Sequence, residues 1–115
     1  MDIKRMDSSQ RMSQVVVHGN TVYLAGQVAK GDTVTAQTEG ILTQIDELLA
    51  KAGTDRSRLL SATIWLCSMD DFAEMNAVWD AWIDTSNPPA RACVESPRLA
   101  TPEFIVEIMV VAAKD

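Results

Sequence analysis

The segment Phe104-Ile105-Val106-Glu107-Ile108-Met109-Val110-Val111-Ala112 carries one charged side chain among nine. Strands that are apolar on both faces are usually buried on both. Whatever this chain folds into must therefore cover both faces of a sheet at this strand. Two other segments have helical periodicity. In the first, beginning near Thr35, Ile41, Leu42, Ile45, Leu48, Leu49 and Ala52 fall on one stripe. In the second, after Ser68, the stripe is Phe72, Met75, Val78, Trp79 and Trp82. A helix with one apolar stripe buries one face, so both helices belong on the same side of one sheet. With 115 residues the chain has no third layer for the other side. The expected fold is a single α+β domain over residues 1–115. It has a mixed sheet, two helices packed on one face, and an oligomeric partner over the other.

Local signals give the order β-β-α-β-α-β-β. The strands are expected at Gln14–His18, Thr21–Gln27, Leu60–Cys67, Ala90–Glu95 and Glu103–Ala112. Gly19-Asn20 between the first two is a hairpin signal. Gly53 is a fitting stop for the first helix. Gly40 inside it should cost roughly 1 kcal/mol relative to alanine, and is explained by close packing on the sheet. Ser68 with Asp71 three residues on resembles a capping box for the second helix. Ser86-Asn87-Pro88-Pro89 ends that helix, because proline lacks the needed donor.

Composition removes several function classes. The net charge is −6, and the ten Lys and Arg residues are scattered. A protein that binds phosphate backbones needs them clustered, so nucleic acid is not an expected partner. Two cysteines, Cys67 and Cys93, and one histidine, His18, offer no zinc set. The thiols are read as buried and free, and His18 as a solvated turn residue. Met1-Asp2-Ile3-Lys4-Arg5 has no apolar leader, and no stretch reaches the length of a membrane span. A cytoplasmic protein is the expectation.

Two charged residues stand out by their surroundings. Arg91 lies in Pro88-Pro89-Ala90-Arg91-Ala92-Cys93-Val94-Glu95, where strand alternation puts Arg91 and Cys93 on one face. A guanidinium there is a candidate fork for an anionic small molecule. Taken alone, the stretch favours a surface salt bridge on an edge strand. Glu107 shares a face with Ile105 and Met109, where a carboxylate is costly unless paired. An ion pair with an arginine and a group that holds a water or a substrate proton are equally open.

Four stretches together resemble the RidA (YjgF) family of imine and enamine deaminases, also described as endoribonuclease L-PSP proteins. They are Val17-His18-Gly19-Asn20-Thr21-Val22-Tyr23-Leu24-Ala25-Gly26-Gln27, Asp71-Phe72-Ala73-Glu74-Met75-Asn76, Pro89-Ala90-Arg91-Ala92-Cys93-Val94-Glu95 and Val106-Glu107-Ile108. The third is the specific one. The match runs from about Ser13 to Ala112 and looks nearer the shorter RidA-like bacterial branch than the archetype. The resemblance implies a chorismate-mutase-like fold and a homotrimer with clefts between subunits. It implies hydrolysis of reactive imino and enamino acids, such as 2-aminoacrylate, to 2-oxo acids and ammonia, with no metal or organic cofactor. By position, Arg91 would bind the substrate carboxylate. The Cys93 backbone and Glu107 would place the attacking water, and Asn76 would contribute at the cleft. Met12 stands where the archetype has a tyrosine, and Ala25 where it has a serine. These exchanges remove two hydroxyls and suit a more apolar imino acid. The alternative is a trimer that binds small carboxylates without turning them over. A ribonuclease is disfavoured, since His18 has no acid/base partner.

Overall fold

The computed structural model describes residues 1–115. Six strands form one sheet: β1 (Ile3–Ser8), β2 (Ser13–His18), β3 (Thr21–Leu24), β4 (Leu59–Leu66), β5 (Ala90–Glu95) and β6 (Val106–Ala113). Their spatial order is β1-β2-β3-β6-β4-β5. Only β4 and β5 pair in parallel; the other neighbours are antiparallel. Helices α1 (Val34–Ala52) and α2 (Phe72–Trp82) cover one face. The mixed sheet and one-sided helix layer are those expected from the sequence.

Alternation sorts the side chains. Val15 and Val17, Val22 and Leu24, Ala62, Ile64 and Leu66, and Val106, Ile108, Val110 and Ala112 enter the core under the helices. Leu59 joins them, although it is three residues from Ala62. A register shift between Leu59 and Ser61 makes this possible. From α1 come Ile41, Leu42, Ile45, Leu49 and Ala52, as its stripe requires. Gly40 abuts Ala29, whose Cβ would stand 2.9 Å from any Cβ added there. The close packing is against the loop that carries Ala29, not on the sheet as expected.

Helix boundaries follow their caps. Thr33 Oγ1 accepts from the Ala36 amide at 3.0 Å and opens α1. Gly53, at φ 86°, closes it, with its N–H donating to the Ala50 carbonyl. The Ser68–Asp71 capping box does not form. Ser68 Oγ instead accepts from the Asp70 amide and opens a short 3-10 turn over Met69–Asp71, and α2 starts after it. The end of α2 is tied to α1 by Arg56. Its guanidinium grips Asp46 through Nε at 3.1 Å and Nη2 at 2.6 Å, and donates to the Trp82 carbonyl at 2.7 Å. Trp82 Nε1 donates to the same carboxylate at 3.0 Å.

Three strands differ from expectation. β1 has no counterpart in the expected order. It is a charged edge, Ile3-Lys4-Arg5-Met6-Asp7-Ser8, and only Met6 packs toward the core. β3 stops at Leu24 and the pairing resumes only at Gln27, opposite Ile108. β6 begins late because the Gln37 side chain takes the preceding backbone. Its Nε2 donates to the Glu103 carbonyl at 2.8 Å, and its Oε1 accepts from the Ile105 amide at 2.9 Å.

The face away from the helices is covered by no part of the chain. Tyr23 lies between Val16 and Val111 there, and Trp65 lies between Val94 and Glu107. Tyr23, Val94 and Met109 are exposed. Trp79 is the largest side chain that α2 buries, at 5% exposure. Trp79→Ala is expected to destabilise the fold by about 3–5 kcal/mol, read as a lower midpoint in chemical denaturation. An unchanged midpoint would contradict its core position.

Candidate functional site

The break in β3 marks the first half of the candidate site. Ala25 still donates its amide to the Gln14 carbonyl at 2.9 Å, and Gln27 exchanges two backbone hydrogen bonds with Ile108, at 2.8 and 3.1 Å. Between them Gly26 faces the Glu107 side chain. A Cβ added at Gly26 would collide with Glu107 Oε2 and stand 3.0 Å from its carboxyl carbon. Glycine is thus required here for close approach, and its φ lies outside the left-handed region. Side-chain amides centred on the buried Gln27 hold this seat. Gln27 Nε2 donates to Gln14 Oε1 at 2.8 Å and to the Ala25 carbonyl at 3.0 Å. Gln44 Nε2 reaches from α1 to Gln27 Oε1 and to the Val28 carbonyl, both at 3.1 Å.

Glu107 has no cationic partner. The three ion pairs of the chain are Lys51–Asp7, Arg56–Asp46 and Arg58–Asp115. The ion-pair reading of Glu107 therefore fails within one chain. Partial burial, uncompensated by any positive charge, raises its carboxyl above the ordinary value.

The second half centres on Arg91. β5 runs parallel to β4 with Arg91 beside Ala62 and Cys93 beside Ile64. Both partners are core residues, so Arg91 and Cys93 point to the helix side. The Arg91 guanidinium carbon is 5.4 Å from the Trp79 ring centre and 5.9 Å from that of Phe72. It pairs with no carboxylate. Glu95, on the same strand, spends Oε1 on the Met69 amide at 3.0 Å. The surface salt bridge suggested by the stretch alone is absent. Burial pushes the Cys93 thiol up, and Arg91 only partly opposes this, so the thiol stays protonated near neutral pH.

Asn76 occupies the turn of α2 between Phe72 and Trp79. Its Oδ1 is buried without a hydrogen-bond partner. Arg91, Cys93 and Asn76 thus share one neighbourhood. Ala25 and Glu107 share another, on the opposite face of the sheet. Met12 lies in the turn between β1 and β2, exposed at the surface. One chain does not bring all six together. Phe72, Trp79 and Gly26 escaped the sequence reading as site residues. Helical spacing had assigned the aromatics to the core, and only the strand register reveals which side chain faces them. No group of three or more His, Cys, Asp and Glu side chains is arranged to hold a metal ion. No helix is long and apolar enough to cross a membrane.

Comparison with known proteins places the chain in a family. The family model described as endoribonuclease L-PSP matches residues 2–114. A RutC family protein of Haemophilus ducreyi is 44% identical over 113 residues, covering 96% of each chain. The RutC family protein YoaB of Escherichia coli is 43% identical over 114 residues, covering 98% of this chain and 99% of YoaB. A crystal structure of a YjgF-family protein from Neisseria meningitidis superposes with a TM-score of 0.97 at 46% identity. It covers 100% of this chain, which spans 97% of that protein. Fold, length and sequence agree from end to end: the chain belongs to the RidA/YjgF family.

Proposed function

We propose that this protein hydrolyses imino and enamino acids to 2-oxo acids and ammonia, at sites assembled between the subunits of a homotrimer. The observation that carries the reading is the division of the charged groups. An unpaired guanidinium stands on one face of the sheet, and an unpaired, half-buried carboxyl on the other. A single chain cannot present both to one small molecule, whereas neighbouring copies can. The uncovered apolar face supplies the surface for such an assembly.

The chemistry needs little machinery. Arg91 of one copy receives the substrate carboxylate in a two-point pairing. Glu107 of a neighbouring copy takes a proton from water as the water oxygen bonds to the imine carbon. The Cys93 backbone helps to place that water. The same carboxyl returns the proton to nitrogen and then relays the proton of the new hydroxyl to nitrogen as well; the C–N bond breaks, C=O forms and ammonia leaves. An enamine first takes a proton on carbon to become the imine. A carboxyl whose proton affinity is raised by burial is better suited to carry this proton in both directions than an ordinary carboxylate. Asn76 lies one helical turn from Phe72 and from Trp79, the rings beside Arg91. Met12 and Ala25 replace hydroxyl groups of the archetype and favour an apolar substrate side chain.

Imino acids generated in situ should release ammonia faster with the protein than without it. Arg91→Lys should fail nearly as badly as Arg91→Ala, because lysine has no planar fork. The loss is expected to be about tenfold to a hundredfold in catalytic efficiency. Pyruvate binding that depends on Arg91, without any ammonia release, would leave the non-catalytic carboxylate-binding reading in place of the enzyme. Light scattering should give about three times the chain mass. A stable monomer would overturn the shared site.

Glu107→Gln should abolish turnover and change stability in a pH-dependent way. Glu107 has a higher proton affinity folded than unfolded, so the wild type loses stability as pH rises through the folded value. Glutamine has no such transition. The melting-temperature advantage of Glu107→Gln should therefore grow from acid toward neutral pH. An advantage that stayed flat across this range would show that Glu107 is not desolvated.

A further inference from the structure

We infer that Phe72 and Trp79 are positioning residues for Arg91, forming an aromatic clamp that holds its guanidinium ready for a carboxylate. The inference rests on the carboxylate-anchor reading of Arg91 and deepens it. Phe72 and Trp79 lie seven residues apart on α2, which is about 10 Å along a helix axis. A guanidinium carbon 5.9 Å from one ring centre and 5.4 Å from the other is in contact range of both. Both distances lie within the range at which a ring attracts a cation.

The consequence follows from the shape of the group. Aromatic rings attract a cation without consuming its N–H donors, and guanidinium has five. A carboxylate partner within the chain would have occupied two of them. Here the side chain is held by its surroundings while its donors stay available. An arginine has many rotamers to lose, and one already held loses fewer when ligand binds. The two rings differ in their other duties. Trp79 is a core residue that also touches Trp82, with ring centres 5.4 Å apart. Phe72 is 37% exposed at the start of α2. Its removal therefore tests the clamp without dismantling the core.

The experiment is calorimetric titration of the intact protein with pyruvate, and with pyruvamide as the uncharged control. Phe72→Leu should weaken pyruvate binding by about twofold to tenfold and leave pyruvamide binding unchanged. Phe72→Tyr should restore pyruvate affinity. Tryptophan emission should shift on pyruvate addition, and the shift should vanish in Trp79→Phe and in Arg91→Ala. Wild-type pyruvate affinity in Phe72→Leu overturns the clamp while leaving the anchor intact. So does equal weakening of both ligands, which marks Phe72 as a plain wall of the pocket. Wild-type pyruvate affinity in Arg91→Ala, or no pyruvate binding by the wild type, overturns the anchor and the clamp with it.

Discussion

The structure depends on one asymmetry: two amphipathic helices can bury only one face of the sheet. Strand alternation turns that asymmetry into chemistry. In β6 the even-numbered residues from Val106 to Ala112 enter the core, which leaves Glu107, Met109 and Val111 on the uncovered face. A carboxylate placed in the other register would be buried under α1 at high cost. β5, the parallel neighbour of β4, turns Arg91 toward the helices instead. The same sheet thus separates two opposite charges that would otherwise neutralise each other.

Much of this is legible in the sequence. The stripe Ile41, Leu42, Ile45, Leu49 and Ala52 is long and regular, and Gly53 stops it where the left-handed backbone requires glycine. The hairpin at Gly19 also holds, with φ 62° at that residue. β1 was hidden because Lys4, Arg5 and Asp7 interrupt any apolar alternation. An edge strand needs only one side chain packed against the core, here the partly buried Met6. The late start of β6 was hidden for a different reason. Gln37 replaces a strand partner from 68 residues away in sequence, and no local pattern announces such a bond.

Arg91, Glu107 and Cys93 were legible as unusual residues in small or apolar strands. Their faces were legible in part, since alternation pairs Arg91 with Cys93. What could not be read was the relation between strands. The register that sets Arg91 beside Ala62 places it under α2, and that register is a long-range property. The rings beside it, Phe72 and Trp79, therefore looked like ordinary core spacing. The protein uses one helix stripe for two purposes: Met75 is fully buried in the core, while Phe72 stays at the surface beside a charge.

The seat of Glu107 on Gly26 has an evolutionary reading. No side chain fits at position 26 while a glutamate of this conformation occupies position 107. The two positions are far apart in the chain yet form one mutational unit. A lineage that gives up the carboxyl is released from the glycine, and one that gains a side chain at 26 must first shorten or redirect 107. Among descendants of this fold, a residue other than glycine at position 26 would thus mark a site whose glutamate is gone or turned out of this seat.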